Sequence, residues 1–194
     1  MIESKAVILS NGRYSLNVVM DGQFQEHLSD LIAYGLTKYR ADYVDEKGFL
    51  LWHSYSMDGV QRKLLKNPGY TQLGTYVYGK IVVIFASLKK DATTEERLNY
   101  KDKYLTESVF QWECENNIRQ DKLNGLNNSD FAYVFVRKVV SEHGIVLPFT
   151  YVGKGKLTNP RIQKKPEGTT WLYDILMENA LPDYLQYDYG IKQD

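Results

Sequence analysis

Residues 76–88 read Tyr76-Val77-Tyr78-Gly79-Lys80-Ile81-Val82-Val83-Ile84-Phe85-Ala86-Ser87-Leu88. β-Branched and aromatic side chains fill this stretch, and Gly79-Lys80 supplies a turn or bulge near its middle, so it predicts two strands. It is also where the hydrophobic period changes. Upstream, Phe24, Leu28, Leu31, Ile32, Leu36 and Tyr39 recur at helical spacing behind the start signal Asp21-Gly22. Residues 5–20 carry Asn11-Gly12 between apolar runs, the pattern of a short hairpin. Residues 49–52 look strand-like, and Ser56 caps a second predicted helix with face Val60, Leu64 and Leu65, ended by Asn67-Pro68-Gly69.

Downstream the strand signal dominates. Residues 109–114 alternate, residues 131–140 (Phe-Ala-Tyr-Val-Phe-Val-Arg-Lys-Val-Val) are the strongest strand in the chain, and residues 148–153 form another. Residues 89–99 and 118–128 read as polar connections, and residues 171–177 as strand or helix. The expected class is therefore α+β: a curved β-sheet or small β-barrel with N-terminal helices packed at one end. Residues 1–48 are expected to form a helical segment on the core and residues 49–194 the β-rich domain, together one compact unit. Strands are not separated by regular helices, which argues against a doubly wound nucleotide-binding fold.

The 194 residues carry 24 Lys and Arg against 24 Asp and Glu, so net charge names no partner. Its distribution is uneven. Residues 137–165 hold seven cations against Glu142 alone, a net of +6, whereas residues 166–194 hold Lys192 against six carboxylates, a net of −5. Gly153-Lys154-Gly155-Lys156, followed by Arg161, Lys164 and Lys165, has small residues for close backbone approach and cations for phosphate; the plain alternative is a solvated hairpin tip. Cys114 is the single cysteine, and His27, His53 and His143 are far apart, so neither a disulfide nor a metal site is expected. No signal peptide and no apolar run of membrane-spanning length is read, and a soluble protein of a reducing cytoplasm, bacterial or other, is expected.

No phosphate-loop, nucleophile-elbow or zinc-protease motif occurs. Cys114, flanked by Glu113 and Glu115, reads as a structural thiol. Asp91, Asp102, Glu107 and Glu113 lack the spacing of a nuclease metal site, so no catalysis is expected of the chain alone, and no cofactor. What remains is residues 100–117, where Tyr100, Tyr104, Phe110 and Trp112 stand among Asp102, Glu107, Glu113 and Glu115. Rings alternating with carboxylates suit planar polar ligands such as nucleobases; a half-buried strand with a wet face is the ordinary alternative.

The groups Tyr100-Lys101-Asp102, Phe110-Gln111-Trp112-Glu113, residues 131–138 and Pro148-Phe149-Thr150-Tyr151-Val152-Gly153, with Tyr55-Ser56 before a helix, span roughly residues 49–156. In this combination the chain resembles a family of domains at the C-terminus of bacterial DEAD/DEAH helicases, often accompanied by a phospholipase-D-like nuclease. It looks most like the target-recognition domain of SauUSI-type, modification-dependent (type IV) restriction enzymes. Where that family usually shows serine, this chain has Cys114.

The resemblance implies a fold similar to SET-and-RING-associated (SRA/PUA-like) base-flipping domains. It also implies a non-catalytic role in binding 5-methylcytosine or 5-hydroxymethylcytosine in double-stranded DNA, with the helicase and nuclease domains of the same parent chain as partners. Base flipping needs stacking rings, for which Phe110, Trp112 and Tyr78 are candidates. It also needs an acceptor for the exocyclic amine of cytosine, for which Asp102 and then Glu113 are candidates. Lys154, Lys156, Arg161, Lys164 and Lys165 would hold phosphates. The alternative is a docking module that couples helicase to nuclease without touching DNA, using the acidic tail with Tyr184, Tyr187 and Tyr189.

Overall fold

The computed structural model describes residues 7–10, 13–16, 44–64, 74–89, 100–166 and 168–192. The chain divides into two compact units, Met1–Tyr43 and Val44–Asp194. In the first, β1 (Val7–Ser10) and β2 (Arg13–Leu16) pair antiparallel, with Ser10 opposite Arg13, as a short hairpin requires; the turn residues Asn11-Gly12 lie outside the described residues. The helix expected over residues 24–39, and its packing on the core, lie outside the described residues.

The second unit is a mixed β-sheet with a few short helices. Its strands are β3 (Ser54–Tyr55), β4 (Thr75–Tyr78), β5 (Ile81–Lys89), β6 (Lys103–Thr106), β7 (Val109–Glu113), β8 (Phe131–Val139), β11 (Phe149–Lys165) and β12 (Gly168–Met177). The order is β4-β5-β8-β11-β12-β7-β6, with β3 paired to β11. A separate hairpin joins β9 (Ser141–Glu142) to β10 (Ile145–Val146). β4 and β6 do not pair with each other, so the sheet stays open and the barrel alternative is corrected. All pairings of the sheet are antiparallel except β5 with β8.

β5 and β8 read as unbroken apolar runs because both of their faces are buried. On one face the register stacks Val82, Ile84 and Ala86 beside Ala132, Val134 and Val136. That core continues through Ile175, Phe110, Tyr173 and Trp112 and takes Leu123, Leu126, Leu181 and Leu185. On the other face Phe49 is fully buried, its ring 5.2–6.0 Å from those of Tyr55, Tyr133, Phe135 and Tyr151. α1 (Met57–Leu64) begins after Ser56, whose Oγ accepts the Gly59 N–H at 3.1 Å, and it buries Val60.

Several expectations are corrected. Residues 49–52 are not a strand: Leu50 bridges Val44, and Trp52 turns at φ 64 with its N–H donated to the Tyr151 carbonyl. The connection 118–128 contains a helix, α2 (Gln120–Asn127). Its asparagines and Gly125 are poor helix formers, and burial of Leu123 and Leu126 decides the matter instead. Gly153-Lys154-Gly155-Lys156 is no loop but the middle of β11, where Gly153 pairs with Val134 and Gly155 with Ala132. A Cβ on Gly155 would lie 2.6 Å from Ile175 Cγ2 and 2.9 Å from the Leu176 carbonyl oxygen, so close packing against β12 requires glycine there.

Candidate functional site: a buried carboxylate beside a cationic hairpin

At its C-terminal end β7 carries Glu113, whose side chain is 0% exposed. The segment before β6 is stitched alongside: Lys101 N–H donates to Glu113 Oε2 at 2.8 Å and Gln111 Nε2 donates to the Lys101 carbonyl at 2.9 Å. Asp102, also buried, accepts the Glu113 N–H on Oδ1 at 2.9 Å. The remaining Glu113 oxygen, Oε1, is paired with the ammonium of Lys165, which reaches in from the end of β11 and is itself only 11% exposed. The same ammonium lies 5.5 Å from the centroid of the Tyr100 ring. Burial first, then the charges of Glu115, Glu113 and Asp102, push the Tyr100 phenol above its ordinary value.

Next to this group, Thr170 donates its hydroxyl to the Cys114 carbonyl at 2.6 Å. Burial pushes the Cys114 thiol up, which fits a structural role. Lys122 of α2 pairs with Glu115 at 2.5 Å and so ties α2 to the exit of β7.

The aromatic candidates separate from the carboxylates. Phe110 and Trp112 face the core, where Phe110 meets the Tyr104 ring and Trp112 stacks on Tyr173 at 5.8 Å. Two residues apart on a strand they share one face, and that face is covered, so neither presents a ring to a base in this arrangement. Tyr78 is exposed but lines a different cavity, whose walls include neither Asp102 nor Glu113.

The cations separate as well. Lys154 lies 3.1 Å from Glu46 and 3.8 Å from Glu178, and Arg161 holds Asp174 through two bonds of 2.7 Å. With Lys165 on Glu113, three of the five expected phosphate ligands are engaged with carboxylates. Lys156 and Lys164 are exposed and have no ion pair among the described residues. Register places Lys156 and Lys165 on one face of the β11–β12 hairpin and Lys164 on the other.

The charge polarity of the sequence is thus partly cancelled in the fold: Arg161 pairs with Asp174 across the β11–β12 hairpin, and Lys154 and Lys138 reach Glu178 and Asp188, while Lys165 and Lys154 also engage Glu113 and Glu46 outside the acidic run. In the tail, α3 (Asp183–Asp188) buries Leu185, and Tyr189 stacks on Tyr104 at 5.9 Å, leaving Tyr184 and Tyr187 as the exposed rings. Sequence reading missed the Lys165–Glu113 pair, and it named Tyr100 among the rings of residues 100–117 without placing it among the stacking candidates.

A family described as a domain of unknown function, DUF3427, matches residues 49–189. This chain belongs to that family. The DUF3427 match covers every residue of the buried cluster and all but the ends of the second unit. No curated protein matches the chain. Among solved structures, Arabidopsis thaliana SUVH6 in complex with SAM is similar at 13% identity and a TM-score of 0.46, covering 82% of this chain. The 5-hydroxymethylcytosine-specific restriction enzyme AbaSI is similar at 10% identity and a TM-score of 0.37, covering 85%. The chain spans 32% of the SUVH6 chain and 60% of the AbaSI chain. Among the described residues no three His, Cys, Asp or Glu side chains gather as metal ligands, and no helix is long and apolar enough to cross a membrane.

Proposed function

We propose that this DUF3427 domain is a non-catalytic reader of modified cytosine in duplex DNA, and that Glu113 is the group that reads the base. The observation that carries the reading is the desolvated Glu113 carboxylate: Oε2 accepts the Lys101 N–H, the Glu113 backbone N–H is fixed on Asp102, and Oε1 faces a single side-chain ammonium, that of Lys165. An extruded cytosine would donate its exocyclic amine to Oε1, with Tyr100 beside it as the ring. Lys165 would move to the phosphate backbone on the face it shares with the exposed Lys156. Asp102 then serves as a positioning residue, holding the Glu113 backbone rather than the base.

Thymine offers an acceptor where cytosine offers the amine and would be refused. A small apolar recess for a 5-methyl group is worth on the order of 1 kcal/mol, about fivefold in affinity. As a reader, the domain would direct the helicase and nuclease domains of a parent restriction enzyme to their target.

The test is a fluorescence titration with duplexes that differ only in one cytosine modification. Preferential binding to the modified duplex is expected, and equal affinities would sink the proposal. Glu113→Gln, whose amide can turn to donate, should lose discrimination between cytosine and thymine at the target position. In the same titrations Lys156→Ala should lower the slope of log K against log salt by about one.

A further inference from the structure

A cavity of about 330 Å³ lies between β4 and the start of α2, apart from the Glu113 cluster. The volume is at the small end of ligand sites, which run from roughly 300 to 1,000 Å³. Tyr78 stands on its rim and is 61% exposed, whereas most rings of the sheet are buried. The cavity's lining from the start of α2 is Arg119, Asp121 and Lys122, two cations of different character and one carboxylate. Arg119 is 81% exposed and paired at 3.0 Å with the equally open Asp121, a contact easily exchanged for another anion. Lys122 is 14% exposed and held by Glu115, so it is a fixed positive charge.

The spacing of these walls is set by Gly125: a Cβ there would lie 2.4 Å from Val77 Cγ1, so α2 can sit this close to β4 only with glycine at that position. A flat ring lining the same cavity as one exchangeable guanidinium and one fixed ammonium matches a ligand that has a planar face and a phosphate. A purely apolar ligand would leave the charges without a purpose, and a bare anion would leave the ring so.

We propose that this cavity takes one unstacked nucleotide of a DNA strand, its base on Tyr78 and its phosphate on Arg119, with Lys122 contributing field. The inference rests on the reading of the domain as a DNA binder, and it adds a nucleotide subsite distinct from the modified base. Stacking of a base on an aromatic ring is sequence-tolerant, so the subsite would supply affinity rather than readout.

The probe is a duplex carrying one modified cytosine and a 2-aminopurine at each neighbouring or opposing position in turn. Binding by the full chain should quench the 2-aminopurine at one of these positions. Tyr78→Ala should abolish that quenching and weaken binding about tenfold, while Tyr78→Phe retains both. Arg119→Ala should weaken binding and reduce the salt slope by about one. An unchanged thermal transition of Tyr78→Ala, expected for so exposed a side chain, separates lost contact from lost fold.

If the wild-type chain binds duplex and Tyr78→Ala binds and quenches like it, this inference is overturned while the recognition proposal stands. If the wild-type chain binds no oligonucleotide, both are overturned. Displacement of the bound probe by an acidic peptide only from wild type, and not from Tyr78→Ala, would reassign the cavity to peptide and overturn the nucleotide.

Discussion

Glu113 and Lys165 form a pair that water scarcely reaches, and such pairs are costly to break from one side only. Lys165→Met leaves a buried carboxylate with no cation, and a loss of about 3–5 kcal/mol in urea unfolding at neutral pH is expected. The double change Glu113→Leu with Lys165→Met should recover most of that loss, because two apolar chains leave no orphaned charge. If the single and double variants are equally unstable, the pair does not act as a unit. Cys114 makes a second test at this scale. It is fully buried and its thiol is pushed up mainly by burial, so aromatic disulfide reagents should label it only as fast as the domain opens. Rapid labelling under native conditions would contradict its place in the core.

At the scale of elements, β11 explains both the successes and the failures of reading the sequence. β5 and β8 were legible because a strand buried on both faces writes a continuous apolar run. β11 was legible only at its start, because beyond Val152 its fully buried positions, Gly153 and Gly155, are glycines, and glycine is the composition of a loop. The reason is contact with β12 rather than local preference, and contact of that kind leaves no mark on neighbouring residues. Gly155→Ala should therefore destabilise by about 1–3 kcal/mol, from overpacking against Ile175 and the Leu176 carbonyl, measurable as a lowered urea midpoint at constant slope. α2 was missed for a similar reason, since two leucines three residues apart make too short a pattern to detect. Of the site, the Tyr100, Asp102 and Glu113 group was visible as a motif. Which ring faces solvent and which cation is engaged were not visible, because both depend on register and on distant partners, as far as 108 residues away for Lys154 and Glu46.

At the scale of the whole molecule, the balanced charge of the described residues is spread over ion pairs between elements, such as Arg161–Asp174, Lys165–Glu113 and Lys138–Asp188, and stability should depend on pH at both ends. Two hydrogen bonds from Arg161 hold the Asp174 carboxyl below its usual range, and Glu46 is likewise lowered: burial opposes this, but hydrogen bonds from Tyr133 and Lys154 outweigh it. Groups depressed in the folded state contribute fully above their unfolded values, about 3.9 for Asp and 4.3 for Glu, and the contribution is lost as pH falls through the folded ones. Burial raises the Tyr189 phenol to about 12. A group raised in the folded state contributes fully below its unfolded value, about 10, and that contribution is lost as pH rises towards the folded one. Urea midpoints should thus fall below about pH 4.5 and again above about pH 10, and Asp174→Asn should flatten the acid limb alone.

The parallel pairing of β5 with β8 carries a consequence for biosynthesis. Ile81 pairs with Phe131, fifty residues further along the chain. At roughly 5–20 residues per second, β5 leaves the ribosome about 3–10 s before its partner exists. β4 covers one edge in that interval, but the other edge of the sequence Ile-Val-Val-Ile-Phe-Ala is open to any strand nearby. The nascent chain is thus most exposed to misassociation between the synthesis of β5 and that of β8, and a holding chaperone acting in that window would shield the edge until β8 arrives.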